Sequence, residues 1–111
     1  MNKEAEETLA NIQLQNQQMQ VVMMQKQALE IQAREIENAL SEIEKLKSED
    51  IFKTIGPIVV KTDKKTIKKD LSDEKEDIDV KLKAMEKHEK ALREKMQENQ
   101  KKFQNLLSEG E

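Results

Sequence analysis

Near the middle of the chain the sequence reads Ile51-Phe52-Lys53-Thr54-Ile55-Gly56-Pro57-Ile58-Val59-Val60-Lys61-Thr62. Two runs rich in β-branched residues flank the Gly56-Pro57 pair, and such residues favour strands. Glycine accepts the positive φ at the first corner of a type II′ turn, and proline suits the negative φ at the second. The stretch therefore predicts a β-hairpin. Its turn sets a register in which Ile55 lies opposite Ile58, Lys53 opposite Val60 and Phe52 opposite Lys61.

Helix-forming sequence extends on both sides of this hairpin. Residues 4–47 and 64–108 contain neither glycine nor proline, and good helix formers dominate them. In both segments a stripe recurs at alternating spacings of three and four, which is the heptad pattern of a coiled coil. The first stripe is Ile12, Gln15, Met19, Val22, Lys26, Leu29, Ala33, Ile36, Leu40 and Ile43. The second is Leu71, Lys75, Ile78, Leu82, Met85, Glu89, Leu92, Met96, Asn99, Phe103 and Leu106.

These segments predict a mainly α fold, a long antiparallel two-helix coiled coil with a central β-hairpin. We expect one domain over residues 1–111, with a helix over 4–47, the hairpin over 51–62 and a second helix over 64–108. Residues 108–111 are expected to fray. Two starts remain open for the second helix, because Asp63 can cap a helix beginning at Lys64 and Ser72 can cap a later one. Polar Gln15 and Lys26 interrupt the first stripe and are expected to fix its register.

The composition excludes several classes of protein. Charged residues make up 39% of the chain and aromatic residues only 2%, which is unlike a compact globular domain. The net charge of −3 argues against nucleic-acid binding. No apolar run approaches the roughly 20 residues that span a bilayer. We therefore expect a soluble, cytoplasmic protein that binds neither nucleic acid nor membrane.

The sequence offers no catalytic constellation. There is no cysteine, and His88 is the only histidine, so it is expected to be a solvated helix residue and not a metal ligand or a base. A two-helix stalk has no cleft that would desolvate a pair of carboxylates. No glycine-rich phosphate loop is present, which argues against the use of ATP. The expectation is a protein without metal or cofactor that binds and does not catalyse.

The hairpin itself predicts an oligomer. Strand alternation places Ile51, Ile55, Ile58 and Val60 on one face and Phe52 and Val59 on the other. A lone two-stranded hairpin is marginal in water, and its edges expose unpaired backbone groups. Burial of both faces requires further copies or partner chains. We therefore expect hairpins from several subunits to join into a shared sheet or barrel, from which the coiled coils project.

Helix, hairpin and helix in this order resemble the β class of the prefoldin family. The hairpin is similar almost position by position to the family pattern VYKxVGxLxVKT, and the Gln-rich residues 17–27 end in the QKQ that the family carries. Pro57 departs from the pattern, where the family often has a residue with a donor N–H. The resemblance covers nearly the whole chain, and its specific part is the hairpin.

The resemblance implies an archaeal-type, ATP-independent holdase. It implies a hexamer of two α-class and four β-class subunits whose hairpins, here Ile51, Phe52, Ile55, Gly56, Pro57, Ile58, Val59 and Val60, build a double β-barrel. The coiled-coil tips would hold unfolded client proteins and pass them to a group II chaperonin. On this interpretation the client-binding residues near the termini are Leu9, Ile12, Leu14, Phe103, Leu106 and Leu107.

Alternative interpretations stay open at this point. Ile12, Phe103 and Leu106 also fit as closing members of the coiled-coil seam, and Leu9, Leu14 and Leu107 fit equally well as incidentally exposed residues. The protein as a whole also fits a structural coiled-coil scaffold that binds one specific folded partner. A nucleic-acid-binding arm is disfavoured, because it needs a net basic stalk and this one is mildly acidic, with Asp63 and Asp70 among lysines 61, 64, 65, 68 and 69.

Overall fold

The computed structural model describes residues 2–110, which form two long helices and an antiparallel hairpin. Helix α1 covers Lys3–Lys45, strand β1 Asp50–Ile55, strand β2 Ile58–Asp63, and helix α2 Lys64–Gly110. Residues 108–110, where fraying was expected, continue α2, and Glu111 lies outside the described residues. The contacts divide the chain into two units. We call them the hairpin unit (Leu29–Leu82) and the terminal unit (Met1–Ala28 with Lys83–Glu111).

The hairpin has the predicted register. Ile55 pairs with Ile58, Lys53 with Val60 and Phe52 with Lys61, and the ladder extends to Asp50 opposite Asp63. Gly56 has a φ of 57°, which side chains disfavour, and the ring of Pro57 holds the next φ negative. This combination fits a type II′ turn, whose twist matches that of the two strands.

Helix α2 begins at Lys64, the earlier of the two predicted starts. A carboxylate oxygen of Asp63 accepts a hydrogen bond from the backbone N–H of Thr66 at 2.8 Å, which satisfies a donor in the first helical turn. The same N–H holds the pKa of Asp63 below its usual value, because it favours the charged carboxylate. Ser72 lies inside the helix.

Helix α1 ends at Lys45, two residues before the predicted end at position 47. The N–H of Leu46 donates to the carbonyl of Ile43 at 3.1 Å, which tightens the last turn. The ammonium of Lys64 donates to the carbonyl oxygens of Glu44 at 3.4 Å and Leu46 at 3.2 Å. A cation from the start of α2 therefore satisfies carbonyl groups that the end of α1 leaves open.

Both predicted stripes form the packed seam. Every member of each stripe is buried or half-buried, and Val22 and Ile78 are each only 4% exposed. In the hairpin unit, the ion pairs of Glu37 with Lys75 (2.9 Å) and of Glu44 with Lys68 show that the helices run antiparallel. In the terminal unit, Gln15 meets Asn99 and Lys26 meets Glu89, which gives the same antiparallel sense.

The polar seam residues of the terminal unit pair with one another across the two helices. The ammonium of Lys26 lies 3.0 Å from a carboxylate oxygen of Glu89, and the amide of Asn99 donates to Gln15 at 3.0 Å. Arg93 contacts the second oxygen of Glu89 at 2.8 Å. The hydrogen bond from Lys26 lowers the pKa of Glu89, and the positive charges of Lys26 and Arg93 act in the same direction. Within residues 2–110 no buried side-chain N or O atom lacks a hydrogen-bond partner.

We expect Glu89→Gln to lower the thermal unfolding midpoint at pH 7, because it leaves the ammonium of Lys26 without its partner carboxylate. A carboxylate whose pKa is lowered by folding stabilises the protein above its unfolded-state pKa, and this stabilisation is lost as the pH falls through the lower folded-state pKa. The difference between variant and wild type should therefore shrink as the pH falls below the unfolded-state pKa of the carboxyl group. Circular dichroism melts over this range measure it.

The matched control is Glu98→Gln, which removes an exposed carboxylate from the same helix and should change the midpoint little at either pH. An equal effect of the two substitutions, or a Glu89→Gln effect independent of pH, would contradict a stabilising role for the Lys26–Glu89 pair.

Candidate functional sites on the hairpin and near the termini

The hairpin exposes apolar side chains on both of its faces. Phe52 is 66% exposed and Val59 63% exposed on one face, while Ile55 and Ile58 are 54% and 58% exposed on the other. Val60 is also exposed, and Ile51 is half-buried. A patch of this kind on both faces of one small element is typical of a surface that a partner covers.

The hairpin also has open backbone edges. Strands β1 and β2 pair only with each other in a two-stranded sheet over the described residues, so each strand has one side without a ladder partner. Unpaired N–H and C=O groups at an edge can accept a strand from another chain. Exposed apolar faces and open edges together make the hairpin suited to joining a larger sheet.

The six predicted tip residues differ in their surroundings. Ile12 is buried at 8% exposure and Leu14 is 53% exposed. Leu9, Phe103, Leu106 and Leu107 are half-buried. Ile12 lies three residues before Gln15, and Phe103 lies four residues after Asn99. Because Gln15 and Asn99 are hydrogen-bonded across the antiparallel helices, Ile12 and Phe103 lie at the same level of the seam. Ile12 therefore packs in the seam, and Leu14 lies beside the seam with about half of its side chain exposed.

Two small residues extend the seam towards the N-terminus. Ala5 is 1% exposed and Thr8 is 4% exposed, and the Thr8 hydroxyl donates to the carbonyl oxygen of Glu4 at 2.8 Å. The sequence contains the signal for them, because positions 5, 8, 12 and 15 continue the spacing of three and four. A stripe defined by large apolar residues misses an alanine and a threonine.

Three of the lysines near the hairpin pair with carboxylates. Lys68 pairs with Glu44, and this contact lowers the pKa of that carboxyl group. Further pairs join Lys61 to Asp50 at 3.7 Å and Lys69 to Asp73 at 3.4 Å. A cluster in which the positive charges are paired in this way offers little net attraction for a polyanion.

No metal centre or membrane span is found in the part of the chain that the structure describes. Residues 2–110 contain no group of three or more His, Cys, Asp or Glu side chains arranged to hold a metal ion. None of their helices is both long enough and apolar enough to cross a membrane. The side chain of His88 is exposed.

Comparison with known proteins gives one consistent family. A family model described as prefoldin subunit matches residues 6–110. The chain is 36% identical over 101 residues to the prefoldin subunit beta of Archaeoglobus fulgidus, covering 90% of this chain and 87% of that protein. It is 37% identical over 100 residues to the prefoldin subunit beta of Thermococcus onnurineus, covering 89% and 86%.

A solved structure agrees with these relatives. The fold is similar to the crystal structure of the prefoldin beta subunit from Thermococcus strain KS-1, with a TM-score of 0.89 and 34% sequence identity. The match covers 96% of this chain and 94% of that one. The similarity therefore includes the helices and the hairpin.

We expect Ile12→Ala and Leu14→Ala to separate packing from surface roles. Ile12 is buried in the seam, so its truncation should lower the free energy of unfolding by about 2–4 kcal/mol. Leu14 is exposed, so its truncation should cost less than about 0.5 kcal/mol. Urea denaturation followed by circular dichroism measures both losses. Equal losses would show that the seam does not distinguish the two positions.

Proposed function

The chain belongs to the prefoldin family, and from this membership we propose that it is the β-class subunit of an ATP-independent holdase chaperone. The family supports a chaperone-type role and an oligomeric assembly with other prefoldin subunits. In our proposal the assembly is a cytoplasmic hexamer of two α-class and four β-class subunits. It binds unfolded polypeptides and delivers them to a group II chaperonin.

The observation that carries this proposal is the two-sided apolar surface of the hairpin. Phe52, Val59, Ile55 and Ile58 are all more than half exposed, while the two strands have open edges. Adding strands from neighbouring subunits pairs the edges and covers both faces in a closed barrel. The hairpin then serves as the assembly element and is not available to clients.

Client binding is assigned to apolar residues near the two termini. Leu9 and Leu107 lie off the predicted stripes and are half-buried, so part of each side chain stays accessible. An unfolded client presents apolar segments without a fixed shape, and a non-directional apolar surface suits such a ligand. One site of this kind binds weakly, and several sites on one assembly raise the overall affinity by avidity.

We expect the double substitution Phe52→Lys and Val59→Lys to prevent assembly, because two charges on one face cannot be buried in a barrel. Native mass spectrometry of the chain, alone and mixed with an α-class prefoldin subunit, measures the outcome. The wild type should form a hexamer in the mixture and the variant should remain monomeric, with unchanged helical circular dichroism.

The matched control is Val80→Lys, at an exposed valine of α2 that should tolerate a lysine without loss of assembly. A variant that assembles like the wild type would contradict the role of the hairpin. A wild type that stays monomeric both alone and in the mixture would contradict the hexamer.

We expect Leu9→Gln with Leu107→Gln to weaken suppression of client aggregation while the assembly keeps its mass. Removing two apolar contacts should raise the concentration of assembly needed for half suppression about two- to tenfold. Light scattering of a chemically denatured model protein, diluted without nucleotide, measures the effect.

The control carries Ile31→Gln and Val80→Gln, which remove exposed apolar side chains from the hairpin unit. If both double variants suppress aggregation as well as the wild type, clients do not bind near the termini. A wild-type assembly that ignores unfolded chains but binds one folded protein saturably would instead establish a scaffold.

A further inference from the structure

The readily oxidised side chains of this protein are almost all methionines. The sequence contains six methionines and a single histidine, and it contains no cysteine, tryptophan or tyrosine. The sulfur of methionine is a polarisable thioether that peroxides convert to a sulfoxide, and reductases reverse this change. In a protein without thiols, the methionines are therefore the side chains that a peroxide attacks first.

The five methionines of the helices fall into two groups, and all five lie in the terminal unit. Three belong to the stripes of the seam and are half-buried: Met19, Met85 and Met96. We call these three the seam methionines. Met23 and Met24 lie off the stripes on α1 and are 44% and 70% exposed, and we call them the surface pair. Met1 lies outside the described residues.

Exposure should set the order in which the two groups react. A peroxide reaches Met24 directly from solvent, whereas a seam methionine packs between the helices and becomes fully accessible only when they separate locally. In the reaction, a sulfur lone pair attacks one peroxide oxygen, the S–O bond forms and the O–O bond breaks. The hydroxide that leaves takes the proton of the transferred oxygen and becomes water, so the sulfur loses the two electrons that the peroxide gains.

The same chemical change has a different cost in the two groups. A sulfoxide carries a polar S–O group whose oxygen accepts hydrogen bonds. At Met85 or Met96 this oxygen would enter a seam of packed, mostly apolar side chains, where a polar group without a partner is destabilising. Oxidation of a seam methionine should therefore lower the stability of the coiled coil.

Hydrogen-bond donors surround the surface pair. Gln20 and Gln27 each lie three residues from one member of the pair and four residues from the other, which is the spacing of neighbours on a helix surface. Both glutamines are exposed, and each side chain has two amide N–H donors. Water and these amides can solvate both sulfoxide oxygens, so oxidation of the pair should leave the packing of the seam unchanged.

We propose that Met23 and Met24 form a reversible oxidation site for hydrogen peroxide and related peroxides, which reacts before the seam methionines and thereby preserves the packing of the coiled coil. Reduction by a methionine sulfoxide reductase restores the pair. For each sulfoxide, two thiol groups are oxidised to a disulfide and the oxygen leaves as water. This inference goes beyond the proposed function and does not depend on it.

The first test compares oxidation rates in the full chain, treated with an excess of hydrogen peroxide and sampled over time. Tandem mass spectrometry of the digested samples measures the sulfoxide at each methionine. Met23 and Met24 should oxidise about threefold or more faster than each seam methionine. In guanidinium chloride the five rates should converge, because unfolding removes the difference in exposure. Equal rates in the folded chain, or a difference that persists after unfolding, would overturn the proposal.

The second test determines whether the surface pair protects the seam. Leucine resembles methionine in size and helix propensity, so Met23→Leu with Met24→Leu should fold as the wild type does. With less peroxide than methionine in the sample, this double variant should accumulate about twofold more sulfoxide at Met85 and Met96 than the wild type. The matched control Met19→Leu, which removes a seam methionine, should leave oxidation at these two positions nearly unchanged. If both variants match the wild type, the proposal is overturned.

The third test measures tolerance and reversal. Wild type oxidised only at the surface pair should keep its thermal unfolding midpoint within about 1 °C, whereas a chain fully oxidised in denaturant and refolded should melt about 4 °C or more lower. Methionine sulfoxide reductases that act on both epimers, supplied with dithiothreitol, should return the surface pair to its original mass. A surface pair whose oxidation lowers the midpoint as much as full oxidation does, or whose sulfoxides resist reduction, would overturn the assignment.

Discussion

The pairing of polar residues inside the seam is the constraint from which the arrangement of the terminal unit follows. Apolar heptads alone tolerate a slip of one repeat, because each large side chain meets another of similar kind. Lys26 does not tolerate it, since such a slip would place it opposite Met96 instead of Glu89 and leave a half-buried ammonium facing a thioether. Gln15 and Asn99 impose the same register one and a half heptads away. This register of α1 against α2 determines which side chains pack in the seam and which remain exposed to solvent.

The exposed apolar residues of the hairpin differ in their arrangement from those of α1 in the terminal unit. On the hairpin, exposed apolar residues occupy both faces, so only the addition of further strands removes them from water. On α1 of the terminal unit, Leu14 and Val21 are exposed on one side of a single helix, in a stretch where Lys26 is the only charged residue between positions 8 and 28. Charged side chains such as Lys53 and Lys61 lie on the same strands, and charges on an edge strand oppose edge-to-edge aggregation.

Much of this fold follows from local patterns. The Gly56-Pro57 turn predicts the register, and the spacing of three and four predicts every residue of the two stripes as buried or half-buried.

The features that the patterns missed involve small side chains or contacts between residues far apart in the sequence. Ala5 and Thr8 were overlooked because small side chains carry a weak hydrophobic signal, and the end of α1 depends on Lys64, which no local pattern reveals. Leu14 was grouped with the terminal residues, and its side chain is 53% exposed. The client-binding roles and the single domain stay predictions.

The contact that Lys64 makes with the end of α1 has a consequence for folding order. Many helices end on a glycine that folds the chain back on its own last turn, but α1 is followed by Leu46 and Lys47, and its final carbonyl groups are satisfied by a lysine 20 residues further on. The two contacts from Lys64 therefore form only once the first residue of α2 is in place beside the end of α1. The turn of the hairpin brings Lys64 back beside the end of α1, so this contact depends on the pairing of both strands. Closure of the hairpin therefore brings to the end of α1 the cation that satisfies its carbonyl groups.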